Sequence, residues 1–136
     1  MTDIKTEDHT ANKKRRILVV DDDNQVADMF ISYLELKGFV TERVDNGENA
    51  LASAISFKPD LVLLDVMMPK INGFDVLDIL KNTPQTSNIP VIMLTSLSGK
   101  EDVDRANKLG AEAYLEKAST NLETVLSKIN DLLILN

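Results

Sequence analysis

The sequence has no cysteine and no tryptophan, and its single histidine, His9, sits in a polar N-terminal stretch. Without cysteine there is no disulfide framework and no thiolate metal site. A lone histidine among polar residues has no neighbours to make it a ligand or a catalyst. With aromatic residues at only 4% of 136, the core has to be aliphatic. No apolar run approaches the ~18 residues of a membrane span, and Met1 to Asn12 lacks the apolar centre of a signal peptide. A cytoplasmic protein without membrane contact is expected. Positive charge is also scarce: 15 Lys and Arg face 22 Asp and Glu, for a net charge of −7. Such a surface repels a phosphate backbone, so no direct nucleic-acid partner is expected. The one basic run, Lys13-Lys14-Arg15-Arg16, is too short to change this and reads as a solvated lead-in to the first strand.

What the chain does have is a series of short aliphatic runs, each ending in a polar residue. Leu61-Val62-Leu63-Leu64 meets Asp65, and Pro69 soon stops any further ladder. Ile17-Leu18-Val19-Val20 meets Asp21-Asp22-Asp23. Val91-Ile92-Met93-Leu94 meets Thr95-Ser96, and Ala113-Tyr114-Leu115 meets Glu116-Lys117. An unbroken apolar run such as Leu61–Leu64 suits a strand buried on both faces of a parallel sheet; Ile17–Val20 reads as another buried strand, and the other two runs as strands of the same series. Phe39 to Val44 instead alternates apolar with polar, as an edge strand does.

Between the runs lie segments of helical spacing. Val26, Met29, Phe30, Tyr33 and Leu34 mark one that stops at Gly38; Ala50, Leu51, Ala54 and Ile55 mark a second, ending before Pro59. Phe74, Leu77 and Leu80 mark a third, Ser98 to Leu109 a fourth that closes at Gly110, and Leu122, Val125, Leu126, Ile129, Leu132 and Leu133 a fifth. Asp45–Glu48, Ser98–Glu101 and Thr120–Glu123 have the form of capping boxes. Strand and helix alternate five times, which implies an α/β fold with helices on both faces of a parallel sheet. Residues 1–13 are expected to form a disordered tail and 14–136 a single domain.

In a parallel sheet every carboxyl end lies on one edge, where open α/β folds bind their ligands. That edge gathers Asp21, Asp22, Asp65, Thr95 and Lys117. If the first and third strands are neighbours, about 4.8 Å apart, three carboxylates share a pocket and cannot all stay ionised uncompensated. Lys117 and a divalent cation are the compensators. Oxygen ligands without Cys or His favour Mg²⁺. A carboxylate beside Mg²⁺, an ammonium and a hydroxyl is arranged to accept a phosphoryl group, and Asp is a known nucleophile for that step. Taken singly, each residue has an ordinary explanation: an acidic helix start, a turn threonine, a surface lysine. Four such coincidences at four strand ends are much less expected than one site.

Val19-Val20-Asp21-Asp22-Asp23, Asp65-Val66-Met67-Met68-Pro69 with Gly73, Thr95-Ser96 and Tyr114-Leu115-Glu116-Lys117 resemble the receiver domain of two-component response regulators. The resemblance runs from about Arg16 to the C-terminus. It implies a flavodoxin-like three-layer sandwich of five parallel strands in the order 2-1-3-4-5 with five helices. It implies a signalling module, not an enzyme in its own right, that takes a phosphoryl group onto Asp65 from the phosphohistidine of a sensor histidine kinase or phosphotransfer protein. Asp22 would bind Mg²⁺ directly and Asp21 largely through water, with Asp65 and the Met67 backbone carbonyl completing the set. Lys117 would contact the phosphoryl group, and Thr95 and Tyr114 would form a switch pair. A downstream effector, or a second copy, would dock on the Ser98–Leu109 helix, the Tyr114 strand and the last helix.

The family usually carries Pro after the Lys, often with a cis bond. This sequence has Ala118. A cis bond is nevertheless expected there, at a cost of ~3 kcal/mol, because Lys117 must point inward. Other functions fit less well. A phosphatase with an aspartyl-phosphate intermediate needs an acid two residues after the nucleophile, where Met67 stands. A flavin-binding module needs a small-residue phosphate cradle, which Asp21-Asp22-Asp23 would repel. A degenerate receiver serving only as a docking module is the alternative, and the filled site positions speak against it.

Overall fold

The structure, a computed structural model, describes residues 13–134. All but Lys13 of the expected N-terminal tail, and His9 with it, lie outside the described residues. Ten elements alternate along the chain: β1 (Arg16–Val20), α1 (Asn24–Leu36), β2 (Val40–Val44), α2 (Ala50–Phe57), β3 (Leu61–Leu64), α3 (Gly73–Lys81), β4 (Val91–Thr95), α4 (Lys100–Leu109), β5 (Ala113–Glu116) and α5 (Leu122–Ile134). The five strands form one parallel sheet in the order β2-β1-β3-β4-β5. This is the flavodoxin-like three-layer sandwich expected from the sequence.

The period-two geometry of a strand splits each aliphatic run between two cores. Leu18, Val20, Val62, Leu64 and Met93 face α2, α3 and α4, where they meet Ala54, Phe57, Phe74, Leu77, Leu80 and Ala106. Ile17, Val19, Leu61, Leu63, Ile92 and Leu94 face α1 and α5, where they meet Ala27, Phe30, Leu34, Val125, Ile129 and Leu133. Apart from Arg16 at the start of β1 and Thr95 at the end of β4, the central strands β1, β3 and β4 are apolar because both of their faces are covered. The edge strands β2 and β5 are only partly buried. Their alternating or mixed composition follows from that.

Two features differ from what the sequence pattern implies. Met29 and Ile55 were expected on core faces but are exposed; Ala27 and Phe57 take the buried positions. A helix of 3.6 residues per turn puts neighbouring apolar positions at the rim of the stripe, and sequence alone does not say which rim is covered. The capping boxes do not form either. The α2 and α4 N-caps, Asn49 and Gly99, make no side-chain cap bond. At α5 it is Asn121, not Thr120, that caps, with Oδ1 accepting from the Thr124 N–H at 2.8 Å. Thr120 Oγ1 is buried without a hydrogen-bond partner. Asn46 turns the chain ahead of α2, its Oδ1 accepting from the Asn49 N–H at 2.9 Å.

Gly73 decides where the loop after β3 can run. A Cβ at this position would overlap the Asp65 carbonyl oxygen and stand 2.7 Å from Val66 Cα. Its own N–H donates to the Val66 carbonyl at 2.9 Å. The start of α3 is therefore pressed directly on the backbone of Asp65 and Val66. Gly73→Ala is expected to destabilise the fold by about 1–3 kcal/mol or more, as overpacking does, and to shift the Asp65 amide resonance. Thermal melts with amide spectra check both effects.

Candidate functional site

Each strand end delivers its polar residue while still held by the ladder. The Asp65 N–H donates to the Val20 carbonyl at 2.9 Å, and the Asp21 N–H to the Val44 carbonyl at 3.0 Å. The Lys117 N–H donates to the Thr95 carbonyl at 2.8 Å. Asp21 Oδ1 accepts from the Asp23 N–H at 2.9 Å. Asp23 in turn caps α1, its Oδ1 accepting from Gln25 and Val26 at 3.0 and 3.2 Å. The acidic triplet is thereby divided into a buried residue, an exposed residue and a helix cap.

Carboxylate oxygens of Asp21, Asp22 and Asp65 lie within 4.8 Å of one another. Asp21 and Asp65 are both only 4% exposed, whereas Asp22 opens to solvent. Lys117 reaches in from β5, past the end of β4, and puts Nζ 2.9 Å from Asp21 Oδ2 and 3.5 Å from Asp65 Oδ2. The Met67 N–H donates to Asp65 Oδ1 at 3.4 Å.

Thr95, at the end of β4, is fully buried, and its Oγ1 accepts from the Leu97 N–H at 3.3 Å. Tyr114 is half-buried on β5 and donates its hydroxyl to the Leu97 carbonyl at 2.8 Å. The two residues expected as a switch pair therefore hold opposite sides of the same residue in the β4–α4 loop.

The expected cis bond is a correction. No cis peptide bond occurs among the described residues, so Lys117–Ala118 is trans, and Lys117 still enters the pocket. A turn with the Ser119 N–H donating to the Glu116 carbonyl at 3.2 Å carries the chain out of β5. The long lysine side chain covers the remaining reach, so nothing repays the ~3 kcal/mol that a cis non-proline bond costs.

Electrostatics follow from burying two carboxylates, Asp21 and Asp65, around one ammonium, with the exposed Asp22 beside them. Burial pushes the Asp65 carboxyl up to about 6 from 3.8, and the Asp21 charge adds to this; Lys117 and the Met67 and Val66 N–H groups oppose it. Burial works to lower the Lys117 pKa, but its hydrogen bond to Asp21 and the Asp65 charge outweigh burial and raise it. Burial, then Asp102 and Glu116, raises the Tyr114 pKa. The Asp21, Asp22 and Asp65 oxygens together form an acidic pocket able to bind a metal, and a hard donor set of this kind suits a hard divalent cation.

The family model of the response regulator receiver domain matches residues 17–130. The chain belongs to this family. It is 36% identical over 118 residues to the DNA-binding dual master transcriptional regulator RpaA of Synechocystis, a match covering 87% of this chain and 48% of that protein. It is 40% identical over 104 residues to the DNA-binding response regulator MtrA of Mycobacterium tuberculosis, covering 76% of this chain and 44% of that protein. The chain thus spans less than half the length of these relatives. The crystal structure of a CheY-like response regulator receiver domain protein from Methanospirillum hungatei matches with a TM-score of 0.83 at 28% identity, covering 89% of this chain and 94% of that one.

One residue at this edge escaped the sequence reading. Arg43 lies in the alternating stretch Phe39 to Val44, and nothing in that pattern marks it out. Its Nε and Nη2 donate to the Asp21 carbonyl at 3.3 and 3.0 Å. The available signal was its position, next to last in an edge strand beside β1.

The Asp65 pKa gives a stability prediction. Because the folded value, about 6, exceeds the ordinary 3.8, the protonated carboxyl is the form the fold favours. Its contribution is complete below pH 3.8 and is lost as pH rises through about 6. Asn resembles the protonated form. In metal-free buffer, Asp65→Asn should therefore melt higher than wild type at pH 7–8, and the advantage should vanish near pH 4. Paired melting curves across that range check it.

Proposed function

We propose that the chain is the phosphoacceptor module of a two-component system, with Asp65 taking a phosphoryl group from the phosphohistidine of a sensor histidine kinase or phosphotransfer protein. The observation that carries this reading is the Asp65 cluster: a buried carboxylate at the carboxyl end of β3, with Lys117 Nζ 3.5 Å from Oδ2 and two further carboxylates within 4.8 Å. An Asp65 oxygen attacks phosphorus, the P–N bond breaks as the O–P bond forms, and the imidazole leaves with the electron pair of the broken bond. Asp21, Asp22, Asp65 and the Met67 backbone carbonyl would hold Mg²⁺, which would offset the negative charge gathered on carboxylates and phosphoryl oxygens.

Lys117 already stands between Asp21 and Asp65. Once Asp65 carries phosphate, its ammonium pairs with a phosphoryl oxygen, and the Thr95 hydroxyl donates to another. Turning Oγ1 toward the phosphoryl group would draw it away from the Leu97 N–H it now accepts from, while the Leu97 carbonyl is held by Tyr114. A local charge thus biases the β4–α4 loop and repacks α4, β5 and α5, the face proposed for an effector or a second copy. The setting proposed is the cytoplasm. Among the described residues no helix is long and apolar enough to cross a membrane, and the net charge of −7 argues against direct nucleic-acid contact. The alternative of a docking module that never takes up phosphate is disfavoured, since Asp22, Asp65, Thr95 and Lys117 are all present at the sheet edge.

The test is phosphorylation by a small acyl phosphate with Mg²⁺, read by intact mass. One added phosphoryl group is expected on wild type and none on Asp65→Asn. Chelator should abolish uptake, and Asp22→Ala should lose most of it. Uptake by Asp65→Asn, or by Asp22→Ala in excess chelator, would contradict the assignment.

The lifetime of the acyl phosphate depends on residues flanking the approach of water. Met67 is exposed and Leu97 half-buried. Neither side chain can orient water by a hydrogen bond. Self-hydrolysis should therefore be slow. Met67→Asn combined with Leu97→Glu should shorten the lifetime, by up to ~10²-fold if the new groups act as water-orienting ones do. Decay after donor removal at constant Mg²⁺ checks it.

A further inference from the structure

The Asp21–Asp22 peptide unit is held by a side chain from the neighbouring edge strand. The Asp21 N–H is bound by the Val44 carbonyl at 3.0 Å, which continues the sheet ladder. The Asp21 carbonyl lies beyond the last β1–β2 register pair, Val20 with Val44. Two donors from one guanidinium take it instead, Arg43 Nε at 3.3 Å and Nη2 at 3.0 Å.

That carbonyl belongs to the same rigid plane as the Asp22 N–H. Fixing it places the Asp22 N and Cα, and leaves only the rotations about N–Cα and Cα–Cβ to set where the carboxylate lies. The point matters because Asp22 is exposed and, among the described residues, its carboxylate makes no hydrogen bond or ion pair that would orient it. Asp21, by contrast, is aimed by Asp23 and Lys117. We propose that Arg43 is a positioning residue for the acidic pocket, its two-pronged grip on the Asp21 carbonyl holding Asp22 toward Asp21 and Asp65. The inference rests on the phosphoacceptor reading.

Charge and geometry make opposite forecasts here, which makes the inference testable. A cation beside three carboxylates repels a second cation. If Arg43 acted by charge alone, its removal would tighten metal binding. If it positions Asp22, its removal weakens metal binding even though a repulsive charge is lost. Arg43 also borders an open hollow of about 480 Å³, shared with Asp45, Asn49, Ala52 and Ser53. Shortening its side chain therefore opens no cavity in the core.

The experiment is titration of the unphosphorylated protein with Mg²⁺ alone, followed by calorimetry and by the Asp22 and Asp65 amide resonances, with thermal melts alongside. Partners that orient metal ligands are worth roughly 10–100-fold in affinity. Because Arg43 acts through the peptide, Arg43→Met should sit at the low end, about tenfold weaker. Arg43→Lys keeps the repulsive charge and replaces the fork by at most a single hydrogen bond, so it should be weakened as well. If Arg43→Met does not fold, Arg43→Lys carries the test: weaker binding supports the inference, and unchanged binding overturns it. A wild type that binds Mg²⁺ while folded Arg43→Met binds as tightly or more tightly overturns this inference alone. A wild type without Mg²⁺ affinity overturns the phosphoacceptor reading and this inference with it.

Discussion

Two buried carboxylates, Asp21 and Asp65, share one ammonium, Lys117, at the carboxyl edge of the sheet. The shortfall of positive charge in that pocket is the constraint that the rest of the structure accommodates. Burying a charge costs several kcal/mol unless it is well paired, and here the pairing is incomplete by construction. Asp65 shows the strain in its raised pKa. The cost is sustained by the aliphatic core on both faces of β1, β3 and β4. A pocket short of positive charge responds strongly to a cation, and a phosphoryl group added there shifts the balance again.

Around this cluster the backbone is held more tightly than the loops suggest. Asp23 caps α1 while bracing Asp21, Gly73 lets α3 start against Asp65, and Arg43 clamps the Asp21 carbonyl. On the far side the restraint is looser. Leu97 is tied to Thr95 by its N–H and to Tyr114 by its carbonyl, two single hydrogen bonds in a loop. In the function proposed above, a firmly held Asp65 beside this weakly tethered loop would pass a local charge change to α4 and β5.

The order of the elements, the parallel sheet and the polar residue at each strand end were all readable in the sequence. Aliphatic runs closed by Asp65, Asp21 and Thr95 carry that information locally, because a strand buried on both faces leaves no other composition open; the short run ahead of Lys117 is the half-buried edge strand β5. The chain by itself determined which residues would share an edge. It did not determine how they would meet there. Whether Met29 or Ala27 faces the core, whether Thr120 or Asn121 caps α5, and whether Lys117 enters by a trans or a cis bond each depend on neighbours far away in sequence. Arg43 is the clearest case: nothing in the alternating pattern of the edge strand marks it out, and only the pairing of β2 with β1 brings its guanidinium to the Asp21 carbonyl. Local pattern encodes burial, whereas hydrogen-bond partners at a sheet edge are assigned by strand order and register, which exist only once the chain has folded.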